Sequence, residues 1–211
     1  MRHVQGMGLL LAVVMGGSVA AQESQPPGVS RADPGAELRL GMRKLWGDHV
    51  SYLRSFVVSM LADLPDQDAV FQRLLRNQDE IGDAFKLYYG SEVGDKLARL
   101  LREHIRIAGE VVRAAKAGRK DALADQERKW SQNGNDLAAF LAELNPAWSK
   151  SSLEAMIQKH LDLITREVAC RLGKDWTGDL QAYDEGREHM LFFSDTLSSG
   201  IRRQFPARFS P

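Results

Sequence analysis

The sequence lacks several features that would assign it to a familiar functional class. It has one cysteine in 211 residues, which excludes an internal disulfide framework, a CxxC zinc site and covalent haem attachment. Neither charge is in excess, because 28 Lys and Arg balance 28 Asp and Glu, and we therefore expect no nucleic-acid partner. The P-loop and GxGxxG phosphate-binding motifs are also missing. A hydrophobic fraction of 44% with 27% charged residues is nevertheless typical of a folded globular domain.

The first residues have the pattern of a secretory signal peptide. A weakly basic start is followed by an apolar run over Met7–Val14, and small residues then fit a cleavage site after Ala21. The run is too short to span a membrane. We therefore expect residues 1–21 to be a signal peptide, the protein to be periplasmic or secreted, and the mature chain to have no membrane span. Residues 22–36 are rich in Pro, Gly, Ser and charge, which predicts a flexible lead-in.

The rest of the chain has helical periodicity and almost none of the period-two alternation of strands. Each predicted helix carries an apolar stripe at spacings of three and four residues, which helices of an antiparallel bundle bury against their neighbours. The sequence therefore predicts an all-α protein, an up-and-down antiparallel bundle over residues 37–206 with a short tail at 207–211. Breaker residues divide it into about six helices, near 37–64, 67–89, 92–117, 121–144, 151–173 and 175–204.

A polar residue lies near the centre of each apolar stripe. Taken in alternate helices, these residues recur at steps of 55 and 56 residues in one series and of 56 and 56 in the other. The regularity indicates one helical hairpin present three times. Mid-helix positions of an up-and-down bundle lie at one height, so we expect a single buried polar layer. Its members are His49, His104 and His160 in the first helices of the hairpins, and Asn77, Asn133 and His189 in the second.

A buried layer rich in histidine favours a metal site. An imidazole buried without a partner costs about 1–3 kcal/mol, so the layer needs a ligand, water or internal hydrogen bonds. Imidazole is the commonest metal ligand, and bundle cores host such sites. We therefore predict a bound Zn, Fe or Cu ion, with Asn77 and Asn133 orienting the ligands. The predicted ligands are His49, His104, His160 and His189 with the carboxylates of Glu80, Asp136 and Glu167.

Three other interpretations of the layer stay open at this point. A noncovalent haem is a second cofactor that fits the residues, with His49 or His104 paired to Met156 or Met190 as axial ligands. The layer can instead serve only to specify helix packing, which would make the protein a non-catalytic structural or interaction module. A third interpretation is an enzyme with the layer in its pocket, but the sequence offers no catalytic triad, so no catalytic residue is predicted.

Five short segments carry a resemblance: LWGDHV at 45–50, RNQDEIG at 76–82, EHI at 103–105, KHLDL at 159–163 and FSDTL at 193–197. Together they resemble a family of small exported bacterial helical proteins without an established function. The resemblance spans about residues 45–206 and implies an all-helical exported protein. Members of that family sometimes carry the labels glycosyltransferase or acetylglutamate kinase, but folds for sugar nucleotides or ATP need strand–helix alternation, which is missing here. The Gly-Asp-His segment is also similar to one in ferritin-like helical proteins with metal sites.

Overall fold

The computed structural model describes residues 33–210, and the predicted signal peptide and most of the predicted lead-in lie outside them. These residues form six α-helices joined by short connections, followed by one turn of 3₁₀ helix at Pro206–Arg208. The predicted all-α, up-and-down bundle is confirmed. None of the helices within 33–210 is both long enough and apolar enough to cross a bilayer. The helices are α1 (Pro34–Leu61), α2 (Gln67–Tyr89), α3 (Ser91–Lys116), α4 (Lys120–Leu144), α5 (Lys150–Leu172) and α6 (Trp176–Gln204).

Local chemistry explains where the first helices begin and end. The Asp33 side chain caps α1 by accepting a hydrogen bond from the backbone N–H of Gly35 at 2.8 Å, and Pro34 takes the first helical position, where an N–H is not needed. The helix therefore begins three residues earlier than predicted, inside the segment expected to be flexible. Gly90 has a φ of 84°, in the left-handed region that favours glycine, and this single residue joins α2 to α3.

The helices form a closed ring in which each packs against its neighbours in sequence and α6 packs against α1. Smaller contacts join α1 to α3 and α3 to α5 across the interior. The first helices of the three hairpins therefore face one another at the centre of the bundle. This arrangement is what brings together histidines that are more than 50 residues apart in the sequence.

The apolar core has two parts, one towards each end of the bundle. Trp46, Phe85 and Phe193 belong to the first part, and Phe56 and Trp130 belong to the second. The residues of the polar layer lie between these two parts along their helices. The layer is therefore enclosed by apolar side chains above and below, and this enclosure determines its electrostatics.

Candidate functional site

Three histidines from three different helices meet at the centre of the bundle. His49 lies on α1, His104 on α3 and His160 on α5, and each is at most 5% exposed. The ring centroids of His49 and His160 are 5.5 Å apart, and those of His104 and His160 are 6.4 Å apart. The equal heights that the repeat predicted are thus found, and the interior contacts of α1, α3 and α5 bring these rings together.

Amide side chains hold two of these imidazoles. The Gln78 amide N–H donates to a backbone carbonyl of its own helix at 2.8 Å, and its Oε1 accepts from Nδ1–H of His49 at 3.3 Å. The Asn133 amide N–H donates to a backbone carbonyl of α3 at 3.3 Å, and its Oδ1 accepts from Nδ1–H of His104 at 2.7 Å. Because an amide oxygen can only accept, both neutral rings carry their proton on Nδ1 and a lone pair on Nε2.

The third imidazole is different, because neither ring nitrogen of His160 has a hydrogen-bond partner. In the first two hairpins the amide partner follows its histidine by 29 residues, as Gln78 follows His49. The residue 29 positions after His160 is His189, which is only half-buried. Its Nε2 lies 2.7 Å from the backbone oxygen of Met156, so it donates there. The break in the repeat therefore leaves one buried imidazole unpaired.

The second helices of the hairpins share one further contact. Asn77 donates to the backbone oxygen of Leu45 at 3.0 Å, Asn133 makes the same bond to α3, and His189 makes it to α5. In each case the accepting residue lies four positions before the layer histidine of the preceding helix. These three equivalent bonds fasten the two helices of each hairpin at the same height, which fixes the register of the layer.

Burial keeps the three central imidazoles uncharged. Loss of hydration lowers the pKa of His49 to about 3, assisted by the neighbouring His104 and opposed by the hydrogen bond that His49 donates to Gln78. The same cause lowers the pKa of His104 to about 4, opposed by Asn133. Burial and the neighbouring histidines also move the pKa of His160 well below its ordinary value of 6.5. At neutral pH these three imidazoles are therefore uncharged.

A cavity of about 30 Å³ borders these rings, and the surface that faces it is apolar, so the ring nitrogens do not point into it as the rings stand. Its wall includes His49, His104 and His160, and the remaining lining side chains are aromatic or aliphatic, or are the thioethers of Met156 and Met190. The indole N–H of Trp46, which also lines the cavity, has no hydrogen-bond partner. The volume suits an ion or one or two water molecules and is far below the ~300 Å³ at the lower end of small-molecule pockets.

A buried group of charges adjoins the layer. Arg54 on α1 donates to Glu167 on α5 at 2.8 Å and binds both carboxylate oxygens of Asp179 on α6. Arg171 also donates to Asp179, at 2.8 Å. Burial raises the pKa of Glu167 despite the opposing effect of Arg54, whereas the hydrogen bonds to Asp179 outweigh its burial and lower its pKa. The group joins the first helix to the last two, and its Glu167 lines one small cavity together with His160.

The structure does not bring the other two predicted carboxylates to the layer. Glu80 accepts hydrogen bonds from Arg73 at 3.2 and 3.3 Å, and exposed Asp136 accepts one from Gln132 at 2.9 Å. Each follows its layer asparagine by three residues and lies at the edge of the same helix face, but its carboxylate pairs with a side chain of its own helix and not with the layer. Across residues 33–210, no three His, Cys, Asp or Glu side chains are arranged so that they hold a metal ion as they stand.

Two parts of the site were missed by the sequence reasoning. Gln78 is the partner of His49, although only its neighbour Asn77 was singled out. A layer histidine and its amide partner on the next helix are 29 residues apart in both hairpins, and this constant spacing identifies Gln78. Asp179 completes the buried charge group, and no spacing in the sequence pointed to its pairing with Arg54.

No protein-family model, curated protein or solved structure matches this chain. The family resemblance of the five sequence segments therefore stays a prediction.

Proposed function

We propose that the protein binds one transition-metal ion between His49, His104 and His160, whose rings turn their nitrogens towards the cavity that they border. The observation that carries the proposal is the imidazole of His160, which is buried, unpaired at both nitrogens and next to two other imidazoles. A buried polar group without a partner costs about 1–3 kcal/mol, and a ligand that pairs with it recovers that cost.

The protonation of the rings favours a cation as that ligand. Three neutral imidazoles carry three nitrogen lone pairs, and the hydrogen bonds of His49 and His104 to their amide partners use none of them. Metal ligands must be unprotonated, and the lowered pKa values mean that no proton has to be displaced from these rings at neutral pH. A fixed Nδ1–H that leaves Nε2 available is also the usual state of a metal-binding histidine.

The separations of His160 from the other two rings are close to those of a three-histidine site. A metal bound to three imidazole nitrogens at about 2.0–2.1 Å in tetrahedral geometry places the ring centroids about 5–5.5 Å apart. The separation of His49 and His160 is 5.5 Å, and that of His104 and His160 is 6.4 Å. Because the nitrogens do not form a metal-binding group as they stand, binding requires the rings to turn and His104 to move inward by about 1 Å.

The lining of the cavity narrows the choice of ion. Imidazole suits zinc, iron and copper, whereas thioethers select the softer Cu(I). Met156 and Met190 line the cavity together with the histidines, which favours copper among these ions. A haem needs far more than the about 30 Å³ of this cavity, so we propose a bare ion.

One observation favours the alternative of a structural module. Two of the three central histidines are paired with amides of the neighbouring helix, and these bonds, with those of Asn77 and Asn133 to backbone oxygens, specify the register of the first two hairpins without a metal. Under this alternative the unpaired His160 lowers the stability of the folded protein without serving a ligand, and metal ions leave that stability unchanged.

Metal titration of untagged, chelator-treated protein decides between the two. We expect one equivalent of Cu(I) or Zn²⁺ per chain by elemental analysis, and a rise in Tm, because a ligand at 100 times its Kd adds about 2.7 kcal/mol of stability. His160→Leu keeps the volume and the apolar surroundings, so it should fold and lose the bound ion. Asp136→Asn, at an exposed position, is the control and should keep it. Wild-type protein that takes up no ion, or His160→Leu that takes up as much as wild type, would contradict the proposal.

A further inference from the structure

We infer that Glu167 is the positioning residue of His160 and acts on it through one water molecule in a small cavity that the two side chains share. Glu167 would thereby receive the ring N–H of the third central histidine through the water, as Gln78 and Asn133 accept those of the first two directly. The inference rests on the proposed function only for its effect on metal affinity; the hydrogen bonds themselves do not depend on a metal.

The geometry of α5 places the two side chains on one face. Glu167 follows His160 by seven residues, which is two helical turns. A cavity of about 10 Å³ lies between α1, α5 and α6, and both side chains line it, together with Arg54 and Tyr183. This volume is close to the smallest that holds one water molecule, about 10–15 Å³, and the site offers the polar partners such a water needs.

The chemistry of the two groups is complementary. Arg54 donates to Oε1 of Glu167, which leaves the other carboxylate oxygen to accept a further hydrogen bond. A neutral His160 has one N–H to donate, and no acceptor among residues 33–210 receives it directly. A water that accepts from this N–H and donates to the carboxylate satisfies both groups.

The break in the repeat explains why a carboxylate is needed here. In the first two hairpins the residue 29 positions after the histidine accepts its Nδ1–H, but in the third this residue is His189, which donates to Met156 instead. Glu167 supplies the missing acceptor from the helix of His160 itself. A carboxylate behind a histidine also makes the ring a stronger metal ligand than an amide does. His160 would therefore be the most basic of the three ligands.

Glu167→Gln tests the inference by reversing one hydrogen bond. Arg54 needs an acceptor, so the amide oxygen of the new side chain should stay with Arg54 and its NH₂ group should face the water. The water then donates to His160 instead of accepting from it, and the ring should change tautomer. We expect ¹⁵N chemical shifts of the imidazole in metal-free protein to show one dominant tautomer in wild type and the opposite one in Glu167→Gln, with the shifts of His49 unchanged.

Metal affinity is the second measurement, and Glu185→Gln is the control because Glu185 pairs with Arg166 at the surface. With the proton moved to the nitrogen that should bind the ion, affinity in Glu167→Gln should fall about 10–100-fold, and in Glu185→Gln it should not change. The same tautomer of His160 in wild type and Glu167→Gln would overturn the inference, even if the metal binds. A tautomer change in a protein that takes up no metal would support the inference and contradict only the proposed function.

Discussion

The protein should lose stability in mild acid, before most of its carboxylates are protonated. Burial lowers the pKa of His49 to about 3 and of His104 to about 4, and it lowers the pKa of His160 as well. In the unfolded chain these pKa values return to about 6.5. Below that pH the unfolded state binds protons that the folded state does not, so the free energy of unfolding decreases as the pH falls towards the folded pKa values.

The number of buried histidines gives the magnitude of this loss. Each proton bound only by the unfolded state lowers the free energy of unfolding by about 1.4 kcal/mol per pH unit, so three histidines give a limiting slope of about 4 kcal/mol per pH unit. At pH 5.5 the summed loss relative to pH 8 is also about 4 kcal/mol. That is a large part of the about 5–15 kcal/mol that stabilises an ordinary domain. Glu167, whose pKa is raised by burial, opposes the loss by at most one proton.

Urea unfolding followed by circular dichroism at pH 8, 7, 6 and 5.5 measures the slope. His160→Leu removes one of the three protons, so its loss between pH 8 and pH 5.5 should be smaller than that of wild type by about 1.4 kcal/mol. Asp136→Asn, at an exposed position, should keep the wild-type slope. A free energy of unfolding that stays constant from pH 8 to pH 5.5, or a slope that His160→Leu leaves unchanged, would refute the reasoning.

Three further predictions concern stability at pH 7.5 and are checked by the same urea assay. Asn133→Leu should cost about 1–3 kcal/mol, because it leaves Nδ1–H of buried His104 without an acceptor; an unchanged midpoint would contradict the hydrogen bond. Arg54→Met should cost about 3–5 kcal/mol, because two buried carboxylates lose their shared partner, and a neutral effect would contradict the charge group. Gly82→Ala should destabilise the protein by about 1–3 kcal/mol, because the new Cβ would lie 2.6 Å from a backbone oxygen of α3. Gly41→Ala is the control, since its Cβ meets open space and should stabilise the protein by up to about 1 kcal/mol. Equal urea midpoints for the two variants would contradict the close packing of α2 on α3.

The helices and the height of the polar layer could be predicted because both depend on spacing. Apolar residues three and four apart mark the buried face, and a repeat of 55–56 residues places His49, His104 and His160 at one level. The start of α1 lies three residues before the predicted one, because Pro, Gly and acidic residues are typical of flexible segments and of helix starts alike. The same residues form a helix cap in the structure.

The pairing within the layer could not be predicted, because spacing gives the face and height of a residue but not the direction of its side chain. His189 has the height of Asn77 and Asn133, but its ring donates to a backbone oxygen and makes no hydrogen bond to His160. Glu167 was expected to be a metal ligand, but its carboxylate faces Arg54, which lies 113 residues away in the sequence. Contacts of this kind depend on how three helices meet, and a pattern along one helix does not contain that information.

X-ray diffraction from crystals soaked with Cu(I) or Zn²⁺, collected at the absorption edge of the metal, tests the central claim most directly. We predict one anomalous peak per chain, about 2.0–2.1 Å from a ring nitrogen of each of His49, His104 and His160, with both amide hydrogen bonds intact. A metal found only at the protein surface, with the three rings unmoved and His160 still unpaired, would contradict the claim.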